Sequence, residues 1–102
     1  MCGIFGIVVA ERSKCSFEEF RDDLSFLYRI SMSRGQDSTG LALNDNQSIY
    51  VIRKECNPRD FIRERYFSDA LLRPFKQAST APLAVMGHCR LATDGSLSIE
   101  EN

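Results

Sequence analysis

The chain opens Met1-Cys2-Gly3-Ile4-Phe5-Gly6-Ile7-Val8-Val9-Ala10. Residues 3–10 form an apolar, β-prone run, and a run without polar alternation predicts a strand buried on both faces. It falls far short of the roughly 20 residues that a membrane span needs. No basic residue precedes it, as a signal peptide would require. The expectation is a cytoplasmic protein. Downstream, Ser16-Phe17-Glu18-Glu19 fits a capping box. Phe17, Phe20, Leu24, Leu27 and Ile30 then recur at helical spacing. Gly35 supplies a stop, so this helix is expected to end near Arg34. Residues 40–43 and 48–53 are β-prone and flank the turn-forming Asn44-Asp45-Asn46-Gln47, which predicts a hairpin. Asn57-Pro58 opens a second helix, Asn as N-cap and Pro as first helical residue. Ile62, Tyr66 and Ala70 mark its apolar side, and Pro74 bounds it. Leu83-Ala84-Val85-Met86 is a last strand running into Gly87-His88-Cys89-Arg90. The order β-α-β-β-α-β predicts a layered α+β domain spanning residues 1–102.

Composition narrows the function. Apolar residues at 43% and charged residues at 26% are ordinary globular values and exclude a disordered chain. Thirteen Lys and Arg against 14 Asp and Glu leave a net charge of −1, with no basic excess to suit nucleic acid. Cys2, Cys15, Cys56 and Cys89 are widely spaced, and His88 is the single histidine. Zinc modules cluster their ligands in sequence, so neither a metal site nor a cofactor is expected. Disulfides are not expected in a reducing compartment. Cys15 and Cys56 read as small, buried, inert thiols.

Cys2 differs by position. Removal of Met1 would leave a chain beginning with a thiol beside a free α-amino group. A thiol of reference pKa about 8.5 is only partly ionised at neutral pH. An α-amino group of pKa about 7.7–8.0 is partly unprotonated there and serves as a base. One residue then supplies nucleophile and base together.

Three segments add to this. Met1-Cys2-Gly3-Ile4-Phe5-Gly6-Ile7 opens the chain. Arg34-Gly35-Gln36-Asp37-Ser38-Thr39-Gly40 follows the first helix. Gly87-His88-Cys89-Arg90-Leu91-Ala92-Thr93 closes the last strand, followed by Asp94-Gly95-Ser96. In this order they resemble the class II glutamine amidotransferases, whose glutaminase domains are N-terminal-nucleophile hydrolases. The similarity is closest to the amidophosphoribosyltransferase and glucosamine-6-phosphate synthase branches. The resemblance implies a four-layer αββα sandwich, of which residues 1–102 would be the N-terminal portion, a partial glutaminase domain. It implies that Cys2 attacks the side-chain amide of glutamine, giving ammonia for an acceptor and, after thioester hydrolysis, glutamate. Arg90 would pair with the glutamine α-carboxylate, for which a guanidinium offers a bidentate fork. Thr93 would help hold that carboxylate, and Arg34 and Gly35 would organise the N-terminus. His88 would be structural, and Cys89, facing the other way on the strand, would be core.

The family's oxyanion hole uses a later Asn-Gly pair, and a later Asp captures the substrate amine. No Asn-Gly dipeptide occurs in this sequence. The expected partners are therefore glutamine, a missing C-terminal half and a synthase or transferase domain or subunit, with no nucleic acid and no membrane. The alternative is a truncated, non-catalytic remnant acting as a binding or partner-interaction module.

Overall fold

In the computed structural model, residues 2–10, 14–44, 48–77 and 82–91 are described. Strand β1 (Cys2–Val9) points Gly3, Phe5, Ile7 and Val9 to one side and Cys2, Ile4, Gly6 and Val8 to the other. Among the described residues, only the first side is covered. Ile4 and Val8 are 70% and 73% exposed, which corrects the expectation of a strand buried on both faces. The reason lies in the sheet. Strands β2 (Ser38–Asn44), β3 (Ile49–Lys54) and β4 (Leu83–Arg90) join β1 in the order β1-β4-β2-β3, every neighbouring pair antiparallel. An antiparallel sheet needs cover on one face only, and here β1 is an edge strand.

Helix α1 (Phe17–Ser31) begins at the anticipated capping box. The Glu19 N–H donates to Ser16 Oγ at 3.1 Å, and the Ser16 N–H donates to Glu19 Oε1 at 2.9 Å. The helix stops at Ser31 rather than near Arg34. Its last carbonyls are taken up by tighter bonds, from Met32 N–H to Arg29 O, Arg34 N–H to Ser31 O and Gly35 N–H to Met32 O. These turns carry the chain three residues past the helix before Gly35 is reached.

The anticipated second helix is two. Asn57 caps α2 (Pro58–Arg63), its side chain accepting from the Asp60 N–H at 2.9 Å. Glu64 then adopts an extended backbone with ψ 146°, and α3 (Arg65–Gln77) follows. Phe61 and Phe67 explain the break. On one straight helix they would sit roughly 120° apart, yet both are fully buried here. Redirecting the chain at Glu64 lets both rings enter the core. Pro74, expected as a boundary, lies inside α3 and is buried. The backbone bond it forgoes is offset by burial of its ring.

The core lies between the helices and one sheet face. Phe20, Leu24 and Tyr28 of α1 meet Leu41, Leu83 and Cys89 of the sheet. Tyr28 is the hub: its ring centroid lies 4.7 Å from Phe5, 5.5 Å from Phe61 and 5.8 Å from Phe67. Its buried hydroxyl donates to Gly40 O, tying α1 to β2. Arg21 Nε donates to Ser68 Oγ at 2.7 Å and joins α1 to α3. The architecture is α+β, a four-stranded antiparallel sheet with the described helices on one face. None of those helices is long and apolar enough to cross a membrane.

Candidate functional site

The sheet order brings the two ends of the described chain together. Cys2, first in β1, lies directly opposite Arg90, last in β4, and Arg90 in turn lies opposite Ser38 at the start of β2. Because register partners share a face, Cys2, Arg90 and Ser38 form one row across the uncovered side of the sheet. Cys2 is exposed and Arg90 half-buried.

The turn after α1 packs against the same strand ends from the helix-covered side, the side that Gly3 faces. A Cβ on Gly3 would stand 3.1 Å from Arg34 Cβ and 3.3 Å from Ser31 Cβ, so the stem of Arg34 rests on the backbone of β1. A Cβ on Gly35 would collide with the Arg90 carbonyl carbon and lie 2.6 Å from Leu91 N and 2.8 Å from Arg90 Cα. Asp37 N–H donates to Arg90 O at 2.9 Å. Segment 34–37 is thereby held between the first residues of β1 and the last of β4. At this corner of the sheet Cys2 and Arg90 share the bare face, Gly35 abuts the Arg90 backbone, and Arg34 rests on the helix-covered side beside Gly3. Thr93 lies outside the described residues, as do Asp94, Gly95 and Ser96.

The remaining thiols and the imidazole sit in different surroundings. Cys89 points to the opposite face, fully buried, and burial followed by the nearby Cys2 pushes its thiol up to about 11. Such a thiol is inert at neutral pH. Cys15 and Cys56 are half-buried rather than buried. Burial raises the Cys56 thiol further above neutrality, its largest influence. His88 lies one row along from Arg90, opposite Ile4 and Gly40. Burial first, then Arg90 and Arg53, lowers its pKa. It is a neutral ring at pH 7.

Sequence reading missed how the glycines work. Gly3 seats the Arg34 stem, and Gly87 lies under the Phe5 ring, where a Cβ would overlap the ring atoms. The only signal was glycine recurring in β-prone runs, which marks close backbone approach without naming the approaching group. Among the described residues, no group of three or more His, Cys, Asp or Glu side chains could hold a metal ion.

Compared with known proteins, the chain matches no family model, no curated protein and no solved structure.

Proposed function

We propose that this chain is the nucleophile-bearing portion of an N-terminal-nucleophile glutamine amidotransferase. The observation that carries the reading is the register pair Cys2–Arg90, with the Arg34–Asp37 turn packed against it. In this reading Met1 is removed and the Cys2 thiol attacks the glutamine amide carbon, its proton passing to the α-amino group. The tetrahedral intermediate collapses, the C–N bond breaks, and the proton leaves with ammonia. Water, deprotonated by the same amine, then attacks the thioester and releases glutamate. Arg90 projects from the neighbouring strand on the same face, about 5 Å away along the backbone. A guanidinium there anchors the α-carboxylate and points the side-chain amide toward Sγ. The uncovered sheet face is where the second sheet of an αββα sandwich would pack.

A second reading is a non-catalytic binding or partner-interaction module. Ammonia release from glutamine separates the two, measured on the Met-processed chain with and without a chain carrying the downstream half of a class II domain. The first reading expects feeble release alone and a gain of about a hundredfold or more on completion, the usual worth of an oxyanion donor. No release in either state, with no reaction of Cys2 toward a diazoketone glutamine analogue, would leave the binding module.

Arg90→Lys tests the carboxylate contact. It keeps the charge and removes the fork. Glutamine binding to the completed domain is expected to weaken by about 1.5–3 kcal/mol, with circular dichroism unchanged. Equal affinity in calorimetric titration would remove Arg90 from the site.

A further inference from the structure

Strand β3 is the last in the sheet, and among the described residues no strand pairs with its outer edge. A groove of about 470 Å³ runs along that edge, between β3 and α3. It takes in the helix-side residues Tyr50 and Ile52. It also takes in Ile49 and Val51, whose side chains belong to the bare face, so it reaches around the edge where the main chain is presented. Gly40 fixes the direction of the main-chain groups. A Cβ there would lie 3.6 Å from Ile52 O, so the Ile52 carbonyl turns toward β2. Main-chain groups of successive residues alternate in direction along an antiparallel strand. The N–H and C=O of Val51 therefore turn outward, into the groove.

We propose that this edge receives an extended strand of another polypeptide, which pairs its main chain with Val51 and sets two side chains of opposite charge against α3. The occupant follows from what the groove offers. Val51 presents a donor and an acceptor together, and one residue of an antiparallel strand fills both with its own C=O and N–H. This is the bonding of β-augmentation. The groove is bounded by residues 49–52 of β3 and 69–77 of α3, stretches of about 10 and 12 Å, so strand and helix run side by side along it. Half-buried Ala70 and buried Pro74 form the depth of the far wall, and exposed Asp69 and Arg73 form its rim.

Charge selects the sequence of the incoming strand. Asp69 and Arg73 stand one helical turn apart, about 6 Å. Side chains on one face of a strand repeat every 7 Å or about that. A lysine and a glutamate two residues apart match the rim in both spacing and sign, with their stems over Ala70 and Pro74. The residue between them lies opposite Val51 and shares its face. This edge is separate from the bare sheet face, and the inference does not depend on the glutaminase reading.

Two dye-labelled peptides test the proposal, Thr-Lys-Val-Glu-Val-Thr and the same peptide with Lys and Glu exchanged, each titrated with the 102-residue chain by fluorescence anisotropy. An antiparallel strand has one direction against α3, so one order should bind about tenfold or more tighter than the other. The double variant Asp69→Lys, Arg73→Glu, at two exposed positions, should reverse that preference. N-methylation of the valine between Lys and Glu removes the donor to Val51 O and should abolish binding. Val51→Pro removes the outward N–H, at an edge position that tolerates proline, and should weaken binding about tenfold or more. If that variant does not fold, the methylated peptide makes the same test on wild type. Failure of both peptides to bind at about 1 mM overturns the proposal. So does equal binding of the two orders, a preference that survives the charge exchange, or a methylated peptide that binds as tightly as its parent. A free chain that sediments as a dimer, lost in Val51→Pro, would assign the edge to a second copy instead and also overturns it.

Discussion

Cys2→Ala is expected to abolish both ammonia release and covalent labelling, a loss of at least about a thousandfold, on the scale of deleting a nucleophile. The fold should be untouched. Cys2 is an exposed residue at the start of an edge strand, where truncation costs within about 0.5 kcal/mol. Intact mass after treatment with a diazoketone glutamine analogue provides the readout. Wild-type chain lacking Met1 should gain one adduct, mapped by peptide mass to Cys2. Cys15→Ala and Cys56→Ala should keep it, and Cys89, fully buried with a raised pKa, should not react. Chain that retains Met1 should behave like Cys2→Ala, because the α-amino base is then acylated. An adduct that persists in Cys2→Ala would transfer the chemistry to another thiol and end the nucleophile assignment.

Gly35→Ala is expected to be the most damaging one-carbon change near the site. The added Cβ would meet backbone atoms of Arg90 and Leu91, which cannot swing aside as a side-chain tip could. Either the Arg34–Asp37 turn lifts and strains the Asp37 N–H bond to Arg90 O, or the end of β4 moves. Overpacking of this kind costs about 3 kcal/mol. For a chain of this length that corresponds to a fall in Tm of roughly 12–20 °C. Gly6→Ala is the control: its Cβ would point to the bare face, with one contact at 3.1 Å to Val85 O, and a smaller loss is expected. Urea unfolding ranks the pair. In the glutaminase reading, Gly35→Ala also displaces Arg90, so glutamine affinity should fall along with stability. A Gly35→Ala chain as stable as wild type would mean that the turn does not abut Arg90 as described.

Much of this molecule was legible from residues a few positions apart. Ser16 with Glu19 announced the start of α1, and Asn57-Pro58 that of α2, because a cap is a bond between near neighbours. The β-rich runs announced their strands, and the alternation of Cys89 with His88 told which was core. The choice of Cys2, Arg34, Gly35 and Arg90 also came from sequence, through motif resemblance. What sequence could not determine was who lies beside whom. That β1 pairs with β4, so that Cys2 opposes Arg90, is a choice of partner between the two ends of the described chain. No local signal encodes it. It follows from which arrangement buries Phe5, Tyr28, Phe61 and Phe67 together. The break at Glu64 has the same origin, since helical periodicity runs on through it and only the shared core requires both phenylalanines inside. The exposure of Ile4 and Val8 was hidden for the same reason. An apolar strand reads alike whether one or two of its faces are covered, and the number of layers packed on a sheet is decided by tertiary structure alone.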